Sequence, residues 1–218
     1  MQPDSLSIVL PVKNPPDIQL FIELMEPLLK LYPLIVVDSG GGELLRPYCR
    51  FYVQQDCHFW EARRIGYGLA ETPFILNLDV DTVLPSKYVD EALKILEGDK
   101  AEAVAIDYER LQGHYAFGTS IWKADWLMKL YDYPPKPVEK LIKVGKQEWV
   151  TAFQCGFCEC TYMWAKLLNC GGRLETLPYR AKHLSRKAIA ENSRYEELPN
   201  RQDNSQNHGY KNSPQTVI

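Results

Sequence analysis

The first half of the chain alternates short apolar runs with segments whose apolar residues recur every three or four positions. Ser7 to Val12 is a compact apolar run that enters a loop at Lys13 and Asn14, which predicts a buried strand. Asp17 is placed to cap a helix whose Leu20, Phe21, Leu24, Leu28 and Leu31 share one core-facing side. Strands are expected at Leu34 to Val37 and Phe51 to Gln54, and a helix from Trp60 to Ala70 that Pro73 ends. Phe74 to Leu78 reads as a strand running straight into Asp79-Val80-Asp81, followed by a helix at about Ser86 to Leu96 and a strand at Ala101 to Asp107. Strands and helices alternating through short connections predict an α/β domain, with a mainly parallel central sheet and helices on both faces.

The second half is less periodic. Gly113 to Ser120 suits a loop or short strand, and Ala124 to Leu130 a helix. Residues 132 to 148, with Pro134, Pro135, Pro137 and several lysines, suggest a mobile excursion. Glu159 to Cys170 is helical in character, with Gly171-Gly172 as its C-cap. From Glu191 the chain turns rich in Asn, Gln and Ser. One domain over residues 1–190 and a polar tail over 191–218, disordered or draped on the surface, are therefore expected.

Composition narrows the function classes. At 45% hydrophobic and 24% charged residues, with a formal net charge of −3, the chain has no concentrated basic surface for nucleic acid. It also has no run of about 20 apolar residues for a membrane span, and its N-terminus lacks a basic start followed by an apolar signal core. A cytoplasmic enzyme is the expectation. Of the six cysteines, Cys155, Cys158 and Cys160 are clustered, but no second ligand pair stands at zinc-site spacing. Buried thiols or disulfides are the plainer expectation.

The candidate chemistry lies at strand ends. Ligands bind beyond the carboxyl ends of strands in open α/β sheets, and Asp38, Asp79 and Asp81 all fall there. On an extended segment, Asp79 and Asp81 would face the same way with Val80 opposite. Two such carboxylates repel unless a cation lies between them, and Mg²⁺ commonly takes one or two carboxylates plus substrate phosphates. Read without context, the same residues also suit plain solvated loop acids.

The segment from Ala62-Arg63-Arg64-Ile65-Gly66 through Asp79-Val80-Asp81 resembles the helix–strand–acid signature of family 2 glycosyltransferases with the GT-A fold. Ser7 to Asn14 resembles that family's opening strand, and Ile35 to Gly41 its second strand and loop. Glu159 through Lys166 and Gly171 to Pro178 and His183 resembles its late catalytic helix and following strand. These segments occur in the family's order over roughly residues 5 to 185.

The resemblance implies a single GT-A (Rossmann-like) domain and an inverting transfer from a UDP- or GDP-sugar to an acceptor hydroxyl. Mn²⁺ or Mg²⁺ would stabilise the leaving diphosphate. By position it places Pro11, Val12, Asp38 and Arg63 at the nucleotide, with Asp38 meeting base or ribose and Arg63 base or diphosphate. It puts Asp79 near ribose and metal, Asp81 closer on the metal, and His183 as a late metal ligand. Arg186 and Lys187 would clamp the diphosphate. Read alone, Arg63 and Arg64 also suit an exposed helix face, and His183 a surface histidine.

The chain departs from the family at the base. An acidic pair usually opens the late helix, but here Cys160 follows Glu159, and a thiol near its ordinary pKa is a poor carboxylate substitute. Glu159 is the expected base, with Glu148 and Asp107 as alternatives. Ser39 stands where relatives often carry a second acid, and Lys13 and Arg64 where an aromatic residue and an asparagine are common. Of the tryptophans, Trp126 and Trp164 suit the core, and Trp149 an acceptor site.

The acceptor, whether glycan, lipid or protein, is not written in any motif, and self-association is allowed for. The competing readings are a catalytically weakened nucleotide- or sugar-binding protein of the same fold and a nucleotidyltransferase. The latter class usually carries a glycine-rich phosphate loop after the first strand, and Pro11 to Pro16 lacks the glycines.

Overall fold

The computed structural model describes residues 3–108, 111–131, 142–144, 147–149 and 159–184. In chain order the strands are β1 (Leu6–Val12), β2 (Leu34–Asp38), β3 (Cys49–Gln54), β4 (Phe74–Asn77), β5 (Thr82–Val83), β6 (Ala103–Tyr108), β7 (Leu111–Tyr115), β8 (Ile121–Lys123), β9 (Ile142–Val144), β10 (Gln147–Trp149) and β11 (Leu174–His183). The helices are α1 (Ile18–Leu31), α2 (Phe59–Leu69), α3 (Tyr88–Glu97), α4 (Ala124–Leu130) and α5 (Glu159–Asn169). Arg186, Lys187 and the 191–218 tail lie outside the described residues, as do the side chains of Glu148 and Trp149 and most of the 132–148 excursion.

One nine-stranded sheet organises the domain, in the order β3-β2-β1-β4-β8-β6-β11-β5, with β7 paired to β6. Strands β3, β2, β1 and β4 are parallel. Strand β8 opposes both β4 and β6, so β6 and its parallel neighbour β11 run the same way as β1. Strands β5 and β7 pair antiparallel. Six strands thus share one direction, and the fold is the expected mixed α/β, GT-A-like (Rossmann-like) domain.

Alternation along the central strands gives each sheet face its own core. Leu6, Ile8, Leu10 and Val12 of β1 pack under Phe21, Met25 and Leu29 of α1 and Tyr88, Leu93 and Leu96 of α3. Val9, Ile35 and Ile75 face the other way, toward Trp60 and Tyr67 of α2, Leu127 and Leu130 of α4, and Met163 and Trp164 of α5. Trp164 is fully buried and stacks on Trp122 at 5.3 Å, whereas Trp126 is only partly buried against the same cluster. Helix α2 lies close on β1 because residue 66 is glycine: a Cβ there would come within 2.4 Å of Val9.

Helix ends follow the sequence. Asp17 caps α1 by accepting from Leu20 N at 3.0 Å. Gly171, with φ of 80°, closes α5 while Gly172 N bonds back to Leu167 O. Strand β11 keeps parallel register with β6 from Leu174 to Thr176 and resumes it at Arg180, bulging over Leu177-Pro178-Tyr179. Proline lacks the N–H a ladder needs, so it suits such a bulge. The four described cysteines, Cys49, Cys57, Cys160 and Cys170, are free thiols. No helix among the described residues is long and apolar enough to cross a membrane.

Candidate functional site

A cavity of about 370 Å³ opens beyond the carboxyl ends of β1 and β4. Pro11, Val12, Arg63, Asp79, Asp81, Glu159 and His183, which the sequence singled out, all line it. Asp38 and Asp107 do not.

Arg63 is the centre of the polar arrangement. It rises from α2, its side chain is only 3% exposed, and its Nη2 bonds to Asp79 Oδ1. Its Nε lies 3.1 Å from each oxygen of Glu159, at the start of α5. Burial opposes the guanidinium charge, but Glu159 and then Asp79 hold it protonated well above the ordinary arginine value. Nη1 is buried and has no hydrogen-bond partner among the described residues. Arg63 sits over the Phe117 ring, 5.4 Å from its centroid. The paired arginines therefore part company, since Arg64 is exposed and absent from the cavity lining.

Glu159 is held from two sides, because the Tyr131 hydroxyl donates to its Oε1 at 2.9 Å. Burial pushes its carboxyl up to about 7; Arg63 pulls it down, and Asp79 adds to the rise. The Tyr131 hydroxyl is itself raised well above its usual value, first by burial and then by the Glu159 charge, so it stays a neutral donor. Its ring is wedged against Trp60 at 4.7 Å and Tyr67 at 4.8 Å. Cys160, which follows Glu159 in α5, accepts from Phe117 N on its sulfur, 3.2 Å away. The thiol there serves as an acceptor for the 117–119 turn.

The two acids after β4 do not share an extended segment. Thr82 N donates to Asp79 O at 3.0 Å, so Asp79 to Thr82 forms a turn, and the period-two reading of Asp79 and Asp81 is corrected. The turn separates the carboxylates: Asp79 faces Arg63, and Asp81 Oδ2 lies 3.1 Å from His183 Nε2. That second pairing depends on β5. Thr82 is in register with His183, and Leu184 N closes on Asp81 O at 2.6 Å, which clips the end of β11 to the turn. Asp79 has room because residue 118 is glycine; a Cβ there would fall 1.8 Å from Oδ2.

Asp38 corrects another expectation. It is fully buried, with Oδ1 taking Gly40 N at 2.7 Å and Gly42 N at 3.1 Å, and Oδ2 taking the Tyr52 hydroxyl. Its carboxylate shapes the loop over Gly40 and Gly41, whose φ values of 136° and 90° suit glycine. Ser39, Lys13, Cys57 and Phe59 line the cavity in its place. Tyr131 and Gly118 gave no signal in the sequence, because each acts through a neighbour distant along the chain.

Among the described residues no group of three or more His, Cys, Asp or Glu side chains could hold a metal ion. Asp81 and His183 do bring one oxygen and one nitrogen to 3.1 Å of each other, both about a third exposed. Neighbouring ligands in an octahedral shell of ~2.1 Å bonds lie about 3 Å apart. At 3.1 Å the two atoms are equally within ordinary hydrogen-bond reach of each other.

No protein-family model matches the chain, and no curated protein matches it. Solved structures do. The chain is similar to S. aureus TarS residues 1–349 at 15% identity and TM-score 0.56, covering 86% of this chain and 62% of that one. It is similar to the mannosyltransferase PcManGT from Pyrobaculum calidifontis, solved in complex with GDP-Man and Mn²⁺, at 13% identity and TM-score 0.61, covering 82% and 56%. The bifunctional IspDF from Campylobacter jejuni is also similar, at 13% identity and TM-score 0.53, covering 86% and 53%. The chain spans roughly three fifths of these proteins or less. At such identities the likeness establishes the fold.

Proposed function

We propose that the chain is a glycosyltransferase of family 2 type that transfers a sugar from a nucleotide-diphosphate sugar to an acceptor hydroxyl with inversion. The observation that carries this reading is one cavity holding both a cation-suited pair, Asp81 and His183, and a carboxylate only 11% exposed, Glu159, with a pKa raised to about 7. A fold shared by differently named proteins does not choose a chemistry, so the reading rests on the site. TarS has been solved with UDP-GlcNAc and PcManGT with GDP-Man and Mn²⁺, which fits a UDP- or GDP-sugar donor here.

In this reading Asp81 and His183 hold Mn²⁺ or Mg²⁺, with Asp79 beside them. When bound, the cation would neutralise charge developing on the departing diphosphate. Arg63, which lines the cavity, adds a fixed positive charge beside the same anion. Pro11 and Val12 form the wall beside the nucleotide. Glu159 accepts the acceptor's hydroxyl proton as the new bond from that oxygen to the anomeric carbon forms. The bond from the anomeric carbon to the diphosphate oxygen breaks, and the diphosphate leaves with its electron pair. A carboxyl near 7 suits this task, since a base works best with a pKa close to the working pH. We assign the activity to a domain over residues 1–190, with 191–218 as an appendage.

Calorimetry with UDP- and GDP-sugars, with and without Mn²⁺, tests the donor half. Binding should require the cation and vanish in Asp81→Ala; equal binding in that variant would remove the metal assignment. Glu159→Gln should bind donor but abolish its slow hydrolysis. Wild-type binding without any turnover would instead support a nucleotide- or sugar-binding protein.

A further inference from the structure

The cavity is built from two sets of elements with different chemistry. The β4–β5 turn, α5 and the end of β11 supply Asp79, Asp81, Glu159 and His183. The ends of β1 and β2, the β3–α2 connection and the first residue of α2 supply Pro11, Val12, Ser39, Cys57 and Phe59, all neutral. Two charged side chains border that side: Lys13, half exposed and 3.3 Å from Asp56, and Arg63, one turn on from Phe59 in α2 but paired with Asp79 and Glu159.

Phe59 stands out there. It is 39% exposed, and of the large apolar side chains exposed among the described residues it alone is aromatic and alone lines this cavity. Its ring is braced by His58 at 4.2 Å and Trp60 at 5.9 Å, so it is held rather than dangling. Sugar hydroxyls and phosphates call for donors and charge, whereas a neutral wall with one presented ring suits a flat, aromatic ligand. The acid expected to read a base, Asp38, is closed off by Gly40, Gly42 and Tyr52.

We propose that Phe59 is the platform on which the donor's nucleobase stacks, and that Asp38 does not read that base. The site then binds nucleoside diphosphates with little choice among bases. This rests on the donor reading above. Stacking is sequence-tolerant because every base has a π-face, and its loss on alanine substitution corresponds to roughly tenfold in affinity.

The test is calorimetry of the full chain with Mn²⁺ against UDP, GDP, CDP, ADP and base-free pyrophosphate. Wild type should bind the four nucleotides within about tenfold of one another. Phe59→Ala should weaken all four about tenfold and leave pyrophosphate unchanged, while Phe59→Tyr, which keeps a ring, should bind like wild type. Unchanged UDP affinity in Phe59→Ala would overturn the stacking assignment alone. An equal loss for pyrophosphate would show a general disturbance and overturn it too. A wild type that binds pyrophosphate but none of the nucleotides would bring down both this proposal and the donor reading.

Discussion

The loops after β2 and β4 begin alike, with an aspartate at the end of a central, buried strand, yet they put it to opposite uses. Asp38 finds its partners within the next four residues and on adjacent β3, and is sealed from the cavity. Asp79 reaches across elements. Its guanidinium comes from α2, and Glu159, which shares it, from near the far end of the described chain. A carboxylate satisfied by its own loop becomes part of the scaffold, because its lone pairs are filled before any ligand arrives. One satisfied across elements stays at the cavity wall, where a ligand can compete for it. Asp81 carries this further, with one side to Thr82 and one to His183.

Substitutions can break that contrast. The largest effect is expected from Arg63→Leu, which leaves Asp79 and Glu159 facing each other without their shared cation. Denaturant unfolding should show a loss of about 3 kcal/mol, together with loss of donor binding. Next come the two aspartates as a crossed pair. Asp38→Asn should cost about 1.5 kcal/mol of stability and leave metal-dependent donor affinity within a factor of about three. Asp81→Asn should change stability by less than about 0.5 kcal/mol and remove the metal dependence. If both variants lost stability and binding together, the two loops would not be distinct in role.

Gly118→Ala should act on the Asp79 side alone. The new methyl group displaces that carboxylate, and donor affinity should fall about tenfold, with a stability loss of about 1–2 kcal/mol.

The smallest effect, Tyr131→Phe, sharpens the base. It removes one hydrogen bond to the ionised carboxylate while keeping the ring in its cage, at about 1 kcal/mol. The Glu159 pKa should rise, so the acid limb of the pH–rate profile should move from about 7 to higher pH. The sign for stability runs the other way. A carboxyl raised from 4.5 to about 7 binds its proton more tightly in the folded state, so its contribution falls as pH rises through that window. The ionised carboxylate, the form that the proposed mechanism uses as base, is thus the form that weakens the fold, and urea titrations at pH 5 and pH 8 would reveal it.

Periodicity made the parallel half of the sheet legible. The patterns of β1, α1, β2, α2 and β4 appear within a residue or two of their expected places, and α4 at its own bounds, because each is long enough to bury a stripe. Strands β5 and β8, of two and three residues, carry no period and exist only through their partners β11, β4 and β6. The cavity residues Arg63, Asp79, Asp81, Glu159 and His183 were legible through motif order. Which of them touch was not, since the 79–82 turn rests on a backbone bond and the seal around Asp38 on two glycine amides and the Tyr52 hydroxyl, none of which motif order shows. Tyr131 reads as an ordinary apolar position at the end of α4 until α5 brings Glu159 to it.

The two-residue clip between β5 and the end of β11 also bears on synthesis. Asp81 leaves the ribosome long before His183, and chains emerge at about 5–20 residues per second. The parallel core of β1 to β4 has all its strands while the pair awaits one member, and joining them closes a very long loop. A nascent chain halted before β11 would thus expose Asp81 without His183, and cation capture would mark a late step in maturation rather than an early nucleus.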